Sequence, residues 1–449
     1  MTFMERIEKM NPREIASRPE VKALWDKSLF WSLAHRRSYK YAPGANIPKD
    51  AFFDHEPKME PVPLTEVELA LLCWAAAGTN GIMRNDLSFG QLACTHPWFE
   101  GRVYPSGCNV WYGHLIFSTD DGILLYRPHV PTKIVEIETQ SDMEVIFRSF
   151  KEGIVQLSDE PIKIPDDSPV AEFMNSACMF KPGVTTFFPV IDVTVEQLNL
   201  YLIREINYLF DDEAGKPAGI QRWIDKGYIK GTPIPLSLYE AAEGQTLLAH
   251  AFYMQQNLQL CAAAMGLGGF IFAGGFNIFK LLSETLDRKG MGFRFAKDKR
   301  GYPYPVGIDG LIETHMPPYM SIDEAVDDIW NMKFKPGFGR YSSEVKEGDE
   351  VMYHGFDPMP RAVYRPFKEP EKYTKAVQVQ PPEVIQIAKD IANYIYNTYG
   401  RFPKMFNPIT CQLQVQIAHI DPNFYDKYQA KGSIWEEQRE HFNTWHGNK

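Results

Sequence analysis

Apolar residues along this chain recur at helical spacing in some stretches and gather in short strand-like blocks in others, and the two kinds are interspersed. The opening segment has helical character up to about Leu33. "LTEVELALLCWAAAG" (64–78) predicts a helix: Thr65 suits an N-cap, acidic residues fill the first turn, and Gly78 supplies a stop. "VEQLNLYLIREINYLF" (195–210) has apolar residues three and four apart and predicts another. "NVWYGHLIFST" and "ILLYRP", on either side of the turn "DDG" (120–122), predict a hairpin, and "TTFFPVIDVT" (185–194) a further strand.

From Gly244 to Phe276 there is no Asp, Glu, Lys or Arg, which raises the question of a membrane span. Gln245, His250, Gln255, Gln256, Asn257 and Gln259 interrupt the first half and glycines crowd the second, so a buried helix running into a buried strand is the expectation. The Gly-, Pro- and charge-rich stretch 211–236 reads as an insertion or lid. From about Ser343 the chain is rich in Pro, Lys and Glu, and then closes with "PEVIQIAKDIANYIYNTYG" and "RFPKMFNPITCQLQVQIAHIDPNFYDKY". The expected organisation is an N-terminal helical segment (1–30), a main domain (31–340), a linker (341–382) and a helical C-terminal extension (383–449), too apolar to stay solvated.

Composition narrows the function classes. With 449 residues, 44% of them hydrophobic, the chain can bury a large core, and a net charge of -10 argues against general affinity for nucleic acid or anionic membrane. The six cysteines are far apart, with no CxxC pair, and read as reduced thiols. "MTFMERIEKMNPREI" has no apolar run of signal length, so the expected location is cytoplasmic.

Against that acidic background, "HRRSYKY" (35–41) concentrates positive charge. In an extended segment Arg36, Ser38 and Lys40 share a face while Arg37 and Tyr39 point the other way. An Arg fork, a hydroxyl and an ammonium on one face match a terminal phosphate, although the seven residues taken alone favour a solvated basic turn. "PSGCN" (105–109) places small residues and an amide before a strand, suited to the edge of a planar heterocycle or to an ordinary turn. "NLQLCAAAMGLGGFIFAGGF" (257–276) leads a small-residue helix into a strand ending at Gly274 and Gly275. It is not a dinucleotide fingerprint, because its glycines follow a helix and Ile stands at 271.

In this order and spacing the three stretches resemble the FMN-dependent nitroreductase family, and "LLCWAAAG" with "YPSGCNVWYGHLIFSTDDGILLYRP" is similar to its azoline dehydrogenase branch. The resemblance covers roughly 30–280. It implies an α+β fold, a mixed and mostly antiparallel sheet flanked by helices, with FMN at the interface of a homodimer. Carried over by motif, the cofactor-binding residues would be Arg36, Arg37, Ser38 and Lys40, then Pro105, Ser106, Gly107 and Asn109, then Gly274 and Gly275, whose backbone would face flavin N5. The implied activity is two-step hydride transfer between NADH or NADPH and a small nitroaromatic, quinone or enone-like acceptor. The alternatives are a flavin-binding protein without turnover and a dehydrogenase acting on a peptide or small molecule.

The chain departs from that pattern at Gly107 and Gly274, where the family has Ser and often an acidic residue, and "KDKR" (297–300) is the one candidate for its late phosphate pair. No catalytic side chain is singled out. His250, His315, His354 and the "HID" at 419–421 lack metal-ligand spacing, so no metal site is expected. Tyr394, Tyr396, Tyr399 and Phe402 read as packing residues, and Asp309 and Glu313 as caps or exposed acids.

Overall fold

A computed structural model describes residues 1–82, 100–106, 112–128, 136–163, 178–203, 208–272, 290–334, 351–354, 357–360, 368, 381–411 and 413–447. Four short helices open the chain: α1 (Phe3–Glu8), α2 (Pro12–Ala16), α3 (Pro19–Trp25) and α4 (Leu29–His35). Helix α5 (Glu66–Ala77) starts in a capping box between Thr65 and Glu68 and ends at Gly78, as its sequence predicts. A pair of short strands follows, β1 (Thr79–Ile82) and β2 (Glu100–Arg102). The expected hairpin is β3 (Gly113–Thr119) and β4 (Gly122–Tyr126). Gly122 has φ +128°, and a Cβ there would lie 2.1 Å from the Ser158 carbonyl oxygen, so the turn admits no side chain.

Next come α6 (Glu144–Gly153), β5 (Ile154–Ser158), β6 (Thr185–Asp192) and α7 (Thr194–Ile203). Segment 211–236 forms most of a small sheet: β7 (Leu209–Asp211), β8 (Lys216–Pro217) and β9 (Ile234–Pro235), with the short helix α8 (Gln221–Asp225). Helix α9 (Leu236–Met265) then runs for 30 residues into β10 (Gly268–Phe272). Gly266 ends it with φ +85°, a left-handed cap in which a Cβ would meet the Glu437 carbonyl oxygen at 2.4 Å. The charge-free stretch is therefore a helix and a strand as far as Phe272. Among the described residues no helix is long and apolar enough to cross a membrane.

The rest is β11 (Arg294–Lys297), β12 (Pro303–Ile308), β13 (Ile312–Glu313), α10 (Ile322–Phe334), the strand pair β14 (Val351–His354) and β15 (Asp357–Pro360), α11 (Pro382–Tyr399), β16 (Ile409–Thr410), β17 (Gln414–Ala418), α12 (Pro422–Tyr428), α13 (Glu436–Arg439) and α14 (His441–Trp445). The central sheet is antiparallel throughout, in the order β10-β17-β6-β3-β4-β5, with β16 alongside the far end of β6. Helices and this sheet make an α+β fold.

One expectation changes here. The tail is not wholly a helical extension: "QVQIA" is β17, inserted between β10 and β6. The reason is its alternation, which sends Val415 and Ile417 into the main core with Phe117 and Phe187 while Gln414 and Gln416 face the other side. On that other side, Ile116, Leu125 and Phe188 pack against Met291, Phe293 and Ile308.

Candidate functional site

The basic segment leaves α4 at Arg36 in an extended conformation (φ -59°, ψ 122°). Its residues then alternate as pleating requires. Arg36 donates from Nη1 to Oε1 of Gln259 on α9 at 3.1 Å, and the Lys40 ammonium stands 5.8 Å from the Phe270 ring on β10. Arg37 and Tyr39 face the C-terminal segment: the Arg37 guanidinium lies 6.0 Å over Trp435, and the Tyr39 hydroxyl donates to the Ser433 carbonyl oxygen. Arg37 Nη1 is also held by the carbonyl oxygens of Ala34 and Arg36 at 2.9 Å each. Ser38 is exposed.

The tail fixes this segment in place. The Tyr425 hydroxyl oxygen accepts the backbone N–H of Lys40 (2.9 Å) and Tyr41 (3.1 Å), Asp421 N–H donates to the Tyr41 carbonyl, and Gln416 Nε2 donates to the Lys40 carbonyl at 3.1 Å. Burial pushes the Tyr425 phenol well up, so it stays protonated.

Beside Lys40 the sheet turns polar. Gln414 lies opposite Phe272 and Gln416 opposite both Phe270 and Thr186, which puts these residues on one face. Gln414, Gln416 and Thr186 are each 1% exposed, yet among the described residues both amide atoms of Gln414, Oε1 of Gln416 and Oγ1 of Thr186 have no hydrogen-bond partner. Buried polar atoms normally have one, so such a row is open to water or to a polar ligand. Met179 and Phe270 pack together there with Phe180 and Phe272. Burial pushes the Cys178 thiol up to about 11, with the Lys40 cation pulling the other way.

The residues just before the second motif dock on the same helix as the first. Asn257 Nδ2 of α9 donates to the Val103 carbonyl at 3.2 Å, two residues before the Gln259 that receives Arg36. Pro105 is exposed and Ser106 half-buried. Gly107, Asn109, Gly274 and Gly275 lie outside the described residues. The C-terminal half of α9 thus gathers Arg36 and the start of the second segment, and β10 continues from it beside Lys40.

Lys297 ends β11 and Asp298–Arg300 turn against the end of α11: Lys299 N–H donates to the Tyr399 carbonyl, and Asp298 accepts from the N–H groups of Arg300 and Tyr302. Asp309 accepts from the Tyr319 hydroxyl, and Glu313 caps Gly310. Sequence reasoning missed two features. The amide row of β17 was legible only as alternation. A cluster of Glu68, His419, His441 and His446, whose ligand atoms lie within 4.8 Å of one another, joins residues far apart in the chain.

No family model and no curated protein matches this chain. Among solved structures it is similar to a candidate nitroreductase from Ralstonia eutropha, at 13% identity and a TM-score of 0.27, over 55% of this chain and 70% of that one.

Proposed function

We propose that the protein is an FMN-dependent oxidoreductase that binds its flavin along β10, between the Arg36–Lys40 segment and the polar face of β17. The observation that carries this reading is the row of unpartnered buried atoms on Gln414, Gln416 and Thr186 beside the Lys40 side chain. The donor set fits the cofactor. A flavin's pyrimidine edge alternates donors and acceptors, and the amides of Gln414 and Gln416 offer both. Arg36, half-buried, and Ser38, exposed, suit the phosphate end. Phe270 and Phe272 supply flat apolar surface.

When bound, the flavin would supply hydride chemistry at N5 between NADH or NADPH and a small nitroaromatic, quinone or enone-like acceptor. The chain's part is to bind, orient and tune. Lys40 would bring a cation to offset negative charge on the ring, and the Gln416 bond to its carbonyl holds the backbone from which that side chain extends. Assembly as a homodimer belongs to the same reading: Leu29, Phe30 and Leu33 on α4 and Phe252 and Tyr253 on α9 are exposed apolar side chains on two helices that pack together.

The test is the purified full-length protein. It should be yellow, release FMN rather than FAD on denaturation, and bleach with NAD(P)H. Arg36→Ala should weaken FMN binding about tenfold to a hundredfold, the loss of one charge-assisted hydrogen bond, while Arg37→Ala, turned toward Trp435, should leave it nearly unchanged. A colourless protein that takes up no FMN refutes the proposal. A yellow protein that no donor bleaches favours flavin binding without turnover.

A further inference from the structure

Glu68 sits in the first turn of α5, His419 just beyond β17, and His441 and His446 at the two ends of the last helix, α14. Their side chains converge on one point. Glu68 Oε1 lies 2.7 Å from Nε2 of His441, 3.1 Å from Nε2 of His419 and 3.5 Å from Nε2 of His446, and the Nε2 atoms of His419 and His446 are 3.1 Å apart. Four donors on a tetrahedral ion with bonds of about 2.0–2.1 Å would be separated by about 3.3 Å, against 2.7–3.5 Å for these four separations and at most 4.8 Å for the remaining two.

The surrounding bonds set the direction of each donor. Nδ1 of His419 is 2.8 Å from the Val62 carbonyl oxygen, and Nδ1 of His441 is 2.8 Å from that of Met265. A carbonyl only accepts, so Nδ1 carries the proton and, in the neutral ring, Nε2 presents a lone pair to the centre. On the carboxylate, Oε2 is occupied by the N–H (2.6 Å) and hydroxyl (2.8 Å) of Thr65, which leaves Oε1 for the histidines. Lone pairs of two imidazoles and an anionic oxygen therefore face one another at hydrogen-bond distance, and a proton on Nε2 of His446, 3.1 Å from His419 and 3.5 Å from Glu68, could meet only one of them. Doubly protonated rings would relieve this only by burying two further charges beside one carboxylate. A cation at the centre turns every one of these contacts into a ligand bond, and carbonyl partners on Nδ1 are the outer shell that metal-bound histidines usually have.

We propose that Glu68, His419, His441 and His446 bind one zinc ion in a closed N3O site that fastens the end of the chain to α5 and to β17. Three imidazoles with one carboxylate select a transition ion of zinc's class over calcium or magnesium, which prefer all-oxygen sets. Four protein ligands leave no position for substrate, so the role is structural. The side chains of Glu68, His419 and His441 are 0–2% exposed and that of His446 is 20% exposed, which makes His446 the access route for the ion.

The experiment uses the untagged full-length chain. Elemental analysis should find about one zinc per chain, stripping with a chelator should lower the melting temperature, and zinc should restore it. Cobalt(II) loaded into the stripped protein should give the visible bands of a tetrahedral site. His446→Ala, at the rim, should fold by circular dichroism yet lose metal affinity by more than the about 10–100-fold that outer-shell changes cost. A full-length protein that carries no zinc and shows no cobalt bands overturns the site, and so does a His446→Ala variant with undiminished affinity. None of these readouts involves flavin.

Discussion

Glu240 on α9 is fully buried, and burial raises its carboxyl to about 7, against the pull of backbone N–H groups and the cations Lys404 and Arg401. Its Oε2 accepts the Met405 N–H at 2.7 Å, and its Oε1 has no partner. An acid whose folded value stands above its unfolded value favours the fold fully below the unfolded value, and that contribution is lost as pH rises through the folded one. From 4.5 to about 7, at about 1.4 kcal/mol per pH unit, the loss is about 3 kcal/mol. Glu240→Gln keeps the oxygen that accepts from Met405 but never ionises. Relative to wild type it should therefore gain about 3 kcal/mol between about pH 4.5 and about pH 8, whatever constant offset the amide adds. His250, 2% exposed, works in the opposite sense: burial lowers it from 6.5 to about 4, so its contribution is present above 6.5 and lost as pH falls toward 4. In wild type the two slopes oppose each other across the shared window, and Glu240→Gln removes one of them. Urea unfolding of both proteins over this pH range checks it. A stability difference that does not change with pH would refute the reasoning.

Two further predictions concern the tail. A chain ending at residue 380 loses β17, the strand that joins β10 to the rest of the sheet, together with the fully buried Ile387, Ile395, Phe402, Ile409, Val415 and Ile417. At about 1.5–3 kcal/mol per side chain this exceeds or consumes a typical domain stability of about 5–15 kcal/mol, so thermal melts should show no cooperative transition; a shortened chain that melts like the full one would contradict the placement of β17. Asp211, 0% exposed, accepts from the hydroxyls of Tyr394 (2.8 Å) and Tyr399 (2.6 Å) and pairs with Lys404 at 3.4 Å. Asp211→Ala leaves two phenols without their acceptor and the Lys404 ammonium with Glu213 (3.0 Å) as its remaining carboxylate, and should cost about 2–4 kcal/mol in denaturant unfolding, whereas a loss below about 1 kcal/mol would show that the network carries little.

Local chemistry is where the sequence spoke clearly. Thr65 and Glu68 close a capping box within one turn, Gly122 permits a hairpin, Gly266 ends a long helix, and the alternation at Arg36 to Lys40 sorts side chains to two sides; each is decided by residues within a few positions of one another. The tail shows where that stops. "QVQIA" alternates like a strand, but which strands it joins depends on the unpaired edges of β6 and β10, far earlier in the chain. The amide row beside Lys40 exists only because that insertion turns Gln414 and Gln416 toward Phe272 and Phe270. Glu68 makes the same point within one side chain. Its Oε2 does the capping that sequence predicts, while its Oε1 meets histidines 351 and 373 residues away. Spacing rules register ligands carried by one local segment; here the packing of α5 against the end of β17 and the last helix assembles them, and that is a property of the tertiary fold alone.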